Sequence, residues 1–438
     1  MHLLALLIYP ASMAFVLGVL VFIHELGHYA VAKWCGVRVE TFSIGFGKRL
    51  FGFRRGDTDY RVSLIPLGGY VKMAGENPME DRTGEPGEFA SHPRWQRFLI
   101  AIAGPVMNII LALVVYTGVF MFHHEYDAVA KLPVDIFFLA SGSPAEQAGI
   151  RTGDRITRID DVQNPNWEQV VIGFALNPKQ PVDVTVRRGD QILKMKVVPN
   201  ETGPDKIGDA GISPPEVIGA LTPGQPGEKA GLRTGDALLA VNGTPVRDTP
   251  EISAILQQAK DSPVALTVWR DGKELHLNVT PELFDPGDSG GKRYMLGFSA
   301  LAVERLPFPV AARTAYETCK DNSLLVFKML GKLIRNKNSI KQMSGPVGMA
   351  KLSGDAARRG FSTLMAAMAF ISLNLAIFNL LPFPILDGGM MLTLLIEGII
   401  RRDINQRVKE RAYQVAFVCL ILFASVVIFN DVAKNFHH

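Results

Sequence analysis

Cysteine is scarce in this chain of 438 residues, which contains only Cys35, Cys319 and Cys419. Their wide spacing fits neither a disulfide framework nor a cysteine zinc cluster, so we expect ordinary packing roles for them. A strong excess of positive charge is also missing, because 46 Lys and Arg stand against 42 Asp and Glu. The basic residues form no patch of the kind that binds nucleic acid, which is therefore not an expected partner.

A basic N-terminal segment is missing as well. The first Lys or Arg is Lys33, and the apolar run 3–23 before it has no charged residue. A secretory signal peptide would begin with positive charge. We therefore expect this run to remain in the protein as a membrane-spanning helix.

Long apolar segments, in contrast, are abundant, and 48% of the residues are hydrophobic. Four segments are long enough to cross a lipid bilayer as helices. They lie at about 8–33, 98–122, 363–386 and 412–430. The predicted fold class is a polytopic α-helical membrane protein with four spans, a membrane-associated β-hairpin region and two α+β domains between the second and third spans.

The corresponding domain boundaries divide the chain into four parts. Residues 1–124 and 301–438 form the two membrane parts, and the second includes a predicted amphipathic helix at about 311–333. Residues 125–205 and 206–300 form the two polar domains between them. Short loops after the first span and before the last are rich in Lys and Arg, which predicts that they face the cytoplasm and the polar domains face outward.

The first span contains the sequence His24-Glu25-Leu26-Gly27-His28. On a helix, His24 and His28 are one turn apart and can bind one metal ion together. Glu25 can take a proton from a water that zinc makes more acidic. A charged group inside a bilayer is costly, so a glutamate between two histidines indicates a function. The alternative is a His–Glu hydrogen-bonded pair that joins two membrane helices.

The third span ends in a sequence that a regular helix cannot accommodate. Pro382 and Pro384 must break the helix, and Asp387 follows them. Irregular backbone at membrane depth requires burial in protein or a polar cavity. Catalytic zinc takes three protein ligands, and a carboxylate is an accepted third. Because both spans run towards the cytoplasm, we predict that His24, His28 and Asp387 bind Zn2+. A helix-ending turn is the alternative role for Asp387.

Two further features are open to more than one interpretation. Residues 39–44 and 60–65 alternate as strands do, and somewhere within about 42–73 a β-edge could bind an extended peptide. A plain cytoplasmic hairpin is the alternative. Asn108 in the second span can hydrogen-bond across helices, and packing is favoured over support of the active site.

The polar middle of the chain is an internal repeat with a constant offset of 82 residues. Ala148–Asp154 (AGIRTGD) matches Ala230–Asp236 (AGLRTGD). Both copies resemble bacterial PDZ domains, which bind peptide C-termini at a sheet edge. The first copy has Asp160-Asp161 where the second has the usual Asn242-Gly243 turn. Either copy could bind peptide, and pure spacers are the alternative.

The two motifs together resemble the site-2 protease family of intramembrane zinc proteases, and the resemblance covers essentially the whole chain. It implies zinc binding by His24, His28 and Asp387, Glu25 as the general base, and a catalytic role for Asn379 in holding substrate or stabilising the oxyanion. It also implies that the hairpin enters the bilayer of a bacterial inner membrane and pairs with an unwound substrate helix.

The implied substrate is a single-span membrane protein, either an anti-sigma factor already cut on its outer side or a remnant signal peptide. Two other classes of function are considered beside proteolysis. One is a membrane-anchored PDZ scaffold without catalysis, and the other is a zinc transporter or sensor. The scaffold is disfavoured because all four residues of the site are intact, and the glutamate between the two histidines suits hydrolysis better than transport or sensing.

Overall fold

The computed structural model describes residues 2–76, 84–203, 207–285, 291–335 and 346–436. The chain separates into two units. One contains residues 1–123 and 305–438, and the other contains residues 124–304.

The first unit begins with a long helix, a hairpin and a second helix: α1 (His2–Cys35), β1 (Val39–Arg55), β2 (Thr58–Met73) and α2 (Arg94–Phe122). The apolar runs of the sequence form α1 and α2, because a helix satisfies every backbone hydrogen bond within itself. The strands are longer than the segments predicted at 39–44 and 60–65. Residues 41–44 lie between residues 59–62 and residues 69–72, so the segment 69–73 forms one edge of the sheet.

The second unit shows the repeat in its elements. The first copy contains α3 (Pro144–Gln147), β5 (Arg155–Ile159), α4 (Trp167–Ala175), β7 (Val182–Arg188) and β8 (Gln191–Val197). The second copy contains α5 (Pro226–Lys229), β13 (Ala237–Val241), α6 (Thr249–Ala259), β15 (Val264–Arg270) and β16 (Lys273–Val279). The remaining strands are short: β3 (His124–Asp127), β4 (Phe138–Leu139), β6 (Val162–Gln163), β9 (Asn200–Thr202), β10 (Ile207–Asp209), β11 (Ile212–Ser213), β12 (Glu216–Val217), β14 (Thr244–Pro245), β17 (Glu282–Phe284), β18 (Arg293–Met295) and β19 (Leu301–Glu304).

Each copy has its own apolar core and the same ion pair, in which the aspartate is buried and the arginine is partly exposed. Trp167 is buried in the first core and Leu238 in the second. Arg188 donates two hydrogen bonds of 2.7 Å to Asp154, and Arg270 donates two of 2.6 Å to Asp236. Bidentate pairs of this kind fix the position of a strand relative to the preceding loop.

The turn that differs between the two copies keeps its main contact. Asp160 and Asn242 both have a positive φ, and each side chain accepts a hydrogen bond from a backbone N–H of the next strand, that of Asp183 or Ala265. The sequence difference at this turn therefore leaves the sheet connection intact.

The chain returns to the first unit with α7 (Phe308–Arg335), α8 (Pro346–Arg359), α9 (Phe361–Asn379), α10 (Asp387–Ile400) and α11 (Gln406–Phe436). Within the described residues, three helices are long and apolar enough to cross a membrane: Leu7–Cys35, Arg94–Phe122 and Phe361–Asn379. The predicted fourth span at 412–430 falls within α11, where many side chains lie outside those described, and it stays a prediction. The third span is shorter than predicted, since its helix ends at Asn379.

Candidate metal centre

Helix α1 places the two histidines of the HExxH sequence side by side. His24 Nε2 and His28 Nε2 are 3.2 Å apart, and the two rings meet edge to face. Each histidine is only 8% exposed. Because the spacing of four residues is one helical turn, this half of the site follows directly from the local sequence.

Asp387 reaches the same point from the other end of the chain. After α9 ends, the segment 380–386 is not helical, and Asp387 is the first residue of α10. Its Oδ2 lies 3.2 Å from His24 Nε2 and its Oδ1 lies 3.5 Å from His28 Nε2. A Cβ would lie 2.3 Å from a backbone atom at Gly388 and 2.1 Å from one at Gly389. The non-helical segment 380–386 can therefore pack against α10 only with glycine at these two positions.

The three side chains fit a zinc ion. Their ligand atoms all lie within 4.8 Å of one another, and the separations between the atoms are 3.2, 3.2 and 3.5 Å. Zinc–ligand bonds of about 2.0–2.1 Å in a tetrahedron put neighbouring ligand atoms ~3.3 Å apart. Asp387 Oδ2 is also buried without a hydrogen-bond partner among the described residues. A buried acceptor of this kind needs a cation or a donor.

Helix α2 packs closely against α1 at the two histidines. A Cβ on Gly27 would lie 2.5 Å from Ala103 O, and a Cβ on Gly104 would lie 2.3 Å from His28 Nε2. These two glycines let α1 and α2 approach closely, as small residues do between membrane helices. His28 Nδ1 then lies 2.7 Å from Ile100 O, an outer contact that fixes the ring and leaves Nε2 facing Asp387.

Glu25 lies on the side of the site that faces the sheet. Its carboxylate lies near the backbone of Val71, on the edge segment 69–73. Gly69 is also adjacent, since a Cβ there would lie 3.5 Å from Glu25 Cγ. An edge strand thus runs directly beside the predicted general base.

Asn379, the last residue of α9, lies at the site as well. Its side-chain nitrogen is 3.5 Å from His24 Nε2. The structure therefore brings His24, His28, Asn379 and Asp387 together with Glu25 beside them. The catalytic and metal-binding roles of these residues remain predictions.

Sequence reasoning missed several neighbours of the site. It did not predict α10, which starts at Asp387, because the 14 residues of this helix are too few to span a bilayer. It also missed Glu76, in the loop after β2. Burial raises the pKa of Glu76 to about 7, although a hydrogen bond from the backbone N–H of Met73 opposes this shift. No local pattern marked Glu76, since it lies near the site only through the fold.

Comparisons with known proteins found a matching family model and similar curated proteins. The model of peptidase family M50 matches residues 12–423. The regulator of sigma-E protease RseP from Escherichia coli is 33% identical over 459 residues, covering 97% of this chain and 98% of that protein. RseP from Salmonella typhimurium is 33% identical over 456 residues with the same coverage. Protease RseP from Yersinia pestis is 32% identical over 454 residues, again covering 97% and 98%.

Proposed function

Since the chain belongs to peptidase family M50 and is a zinc metalloprotease of the site-2 type, we propose that it cleaves transmembrane segments of single-span membrane proteins during regulated proteolysis. An anti-sigma factor, already cut on its outer side, is the proposed substrate. The observation that carries this proposal is the cluster of His24, His28 and Asp387, whose ligand atoms lie within 4.8 Å of one another. Both histidines belong to a helix that is long and apolar enough to cross a membrane.

The proposed chemistry assigns one task to each residue. His24, His28 and Asp387 would hold zinc, which supplies a Lewis acid for the scissile carbonyl and for the attacking water. Glu25 takes the proton of that water and later passes it to the leaving amine. The side chain of Asn379 donates a hydrogen bond to the oxyanion, a contact typically worth about 3 kcal/mol in the transition state.

The edge segment 69–73 is the proposed binding site for the scissile part of the substrate. A transmembrane helix has its carbonyls hydrogen-bonded, so it must unwind before hydrolysis. Pairing with a sheet edge replaces the lost hydrogen bonds, which are costly to leave unmade in a bilayer. The proximity of Val71 to Glu25 supports this edge over the opposite one.

Cross-linking can test this choice of edge. The variant Val71→Cys places a thiol on the edge beside Glu25, and Phe53→Cys places one on the opposite edge of the same sheet. A substrate with a single cysteine near its cleavage position should cross-link to position 71 much more than to position 53. Equal yields at the two positions would contradict the proposed substrate path.

The test of catalysis itself uses purified full-length protein in detergent and a single-span model substrate. Glu25→Gln should abolish cleavage and keep one zinc per chain. Glu317→Gln is the control, because Glu317 forms an exposed pair with Arg313 on α7. Full cleavage by Glu25→Gln would refute the general base. Zinc without cleavage in the wild type would favour a membrane-anchored scaffold, and preference for signal peptides over an anti-sigma factor would favour the other substrate class.

The two repeats are proposed to be PDZ domains that select trimmed substrates through their new C-termini. The second copy offers a groove of about 350 Å³ between α6 and the segment 293–300. We therefore assign peptide binding to the second copy.

This assignment predicts different effects on peptide binding for substitutions at two neighbouring residues of α6. Ser253 lines the groove, whereas Ala254 is exposed on the same helix. Ser253→Phe should fill the groove and weaken binding of a peptide with an apolar C-terminus at least 10-fold, and Ala254→Phe should leave binding unchanged. Unchanged binding by both variants would exclude this groove.

The proposed location is the bacterial inner membrane, with the repeats on the outer side and the zinc site near the cytoplasmic side. Thiol reagents that do not cross membranes should label Ser262→Cys, in the second repeat, in intact spheroplasts. They should label Arg402→Cys, in the loop after α10, only after permeabilisation. The reverse pattern would invert the orientation.

A further inference from the structure

Asn108 is fully buried on α2 and makes contacts in two directions. Its backbone carbonyl accepts a hydrogen bond of 2.8 Å from Ser372 Oγ on α9. Its side-chain amide lies 3.2 Å from Nδ1 of His24. The hydrogen bond from α9 to Asn108 therefore uses the backbone of Asn108, and its side chain lies beside the histidine.

The chemistry of a zinc-bound histidine explains why an amide is placed there. His24 Nε2 faces Asp387 and His28, so Nε2 is the nitrogen available to a metal ion. A neutral imidazole that binds through Nε2 carries its proton on Nδ1, and this N–H needs an acceptor. His28 meets the same need with Ile100 O.

Asn108 can supply the acceptor for His24. Its Oδ1 is buried and has no hydrogen-bond partner among the described residues. The two ends of an amide are interchangeable by rotation about the last side-chain bond, so the oxygen can face Nδ1. With the oxygen there, the Nδ1–H of His24 donates to Oδ1, and the metal-binding nitrogen stays unprotonated.

We propose that Asn108 is a positioning residue for the metal centre: it holds His24 in the tautomer and orientation that bind zinc through Nε2. Helix α2 then fixes both histidine rings, because Ile100 O hydrogen-bonds to His28 and Asn108 hydrogen-bonds to His24. These two residues lie one on each side of Gly104 in the sequence of α2. This inference rests on the proposed zinc site and adds to it a residue that touches neither zinc nor substrate.

Two variants of Asn108 separate this role from packing. Asn108→Leu keeps the approximate shape and removes the acceptor, whereas Asn108→Asp keeps an acceptor oxygen. Ser372→Ala is the packing control, because it removes the hydrogen bond to the Asn108 carbonyl and leaves the side chain of Asn108 in place. Zinc affinity is measured on the full chain in detergent by competition with a chelator, and the cobalt-substituted protein is followed by its visible spectrum.

We expect Asn108→Leu to bind zinc about 10–100-fold more weakly, the usual effect of losing an outer hydrogen-bond partner of a ligand, with an altered cobalt spectrum. Asn108→Asp and Ser372→Ala should stay within about threefold of wild type. Wild-type zinc affinity in Asn108→Leu, or equal losses in the Leu and Asp variants, would overturn the inference. Absence of zinc from the wild-type protein would instead refute the proposed function.

Discussion

Replacing Gly104 by alanine tests the close contact between α1 and α2 at the metal centre. The added methyl group would lie 2.3 Å from His28 Nε2 and 2.8 Å from His24 Cε1. Non-bonded heavy atoms prefer separations of about 3.5 Å or more, so the His28 ring would have to retreat by about 1 Å. Metal–ligand distances tolerate deviations of only about 0.2 Å. The variant should therefore lose one zinc ligand.

The expected magnitudes follow from that displacement. Zinc affinity should fall by more than the 10–100-fold that removal of an outer-shell partner causes, because a direct ligand is displaced. Overpacking should also reduce the free energy of unfolding by about 1–3 kcal/mol. Gly118→Ala is the matched control on the same helix, since a Cβ there has no atom within 4 Å. It should leave zinc binding unchanged.

The assay combines chelator competition, cleavage of a single-span substrate and thermal unfolding in detergent for the wild type and the two variants. Gly104→Ala should be inactive and zinc-poor, and Gly118→Ala should match the wild type. If Gly104→Ala binds zinc and cleaves substrate normally, the histidines do not lie against α2 as described here.

Three further predictions concern other contacts. Asp387→Asn should weaken zinc binding more than 100-fold, because a neutral amide oxygen replaces a carboxylate ligand; Asp355→Asn, which affects a hydrogen bond from Tyr9 in the same unit, should not. Burial alone would raise the pKa of Asp154, but hydrogen bonds from Arg188 and the backbone of Arg151 lower it below the ordinary value. Its contribution to stability is therefore present above the unfolded-state pKa of about 3.9 and is lost as the pH falls through the lower folded-state value. Asp154→Asn should lower the free energy of unfolding by about 1–3 kcal/mol at pH 7. Urea unfolding should show that this difference from the wild type becomes smaller below pH 4. Asp183 forms an exposed pair with Lys196, so Asp183→Asn should have little effect at either pH. Finally, Glu397 is fully buried, pairs with Lys409 at 2.6 Å and accepts a hydrogen bond from the backbone of Ile404. Because Glu397→Leu removes these contacts to the loop 401–405 and to α11, it should increase proteolysis of that loop. Glu410→Leu serves as the control.

The parts of the structure that depend on short-range patterns were predictable. The spacing of His24 and His28 by one helical turn needs only a helix, and the apolar run around them supplies it. Two closely spaced prolines end a helix wherever they occur, and α9 ends three residues before Pro382. The offset of 82 residues is visible in the sequence letters and recurs in the elements of the two copies.

The role of Asn108 was only half predictable. The sequence analysis favoured packing, and a buried asparagine between membrane helices is indeed compatible with packing. The structure shows that the backbone of Asn108 makes the interhelical contact with Ser372 and that its side chain lies beside His24. Which way a buried amide faces depends on the rotation of the helix, and no sequence period specifies that rotation.

The sequence by itself determined which residue types can bind zinc and that two of them share one helical turn. Tertiary structure decided that Asp387 comes within 3.5 Å of both histidines, that the edge segment 69–73 lies beside Glu25, and that Gly27 and Gly104 bring α1 against α2. Local spacing is set by backbone geometry, which neighbouring residues control. Contacts between residues more than 300 positions apart depend on how several helices pack at once, and only the folded chain specifies that arrangement.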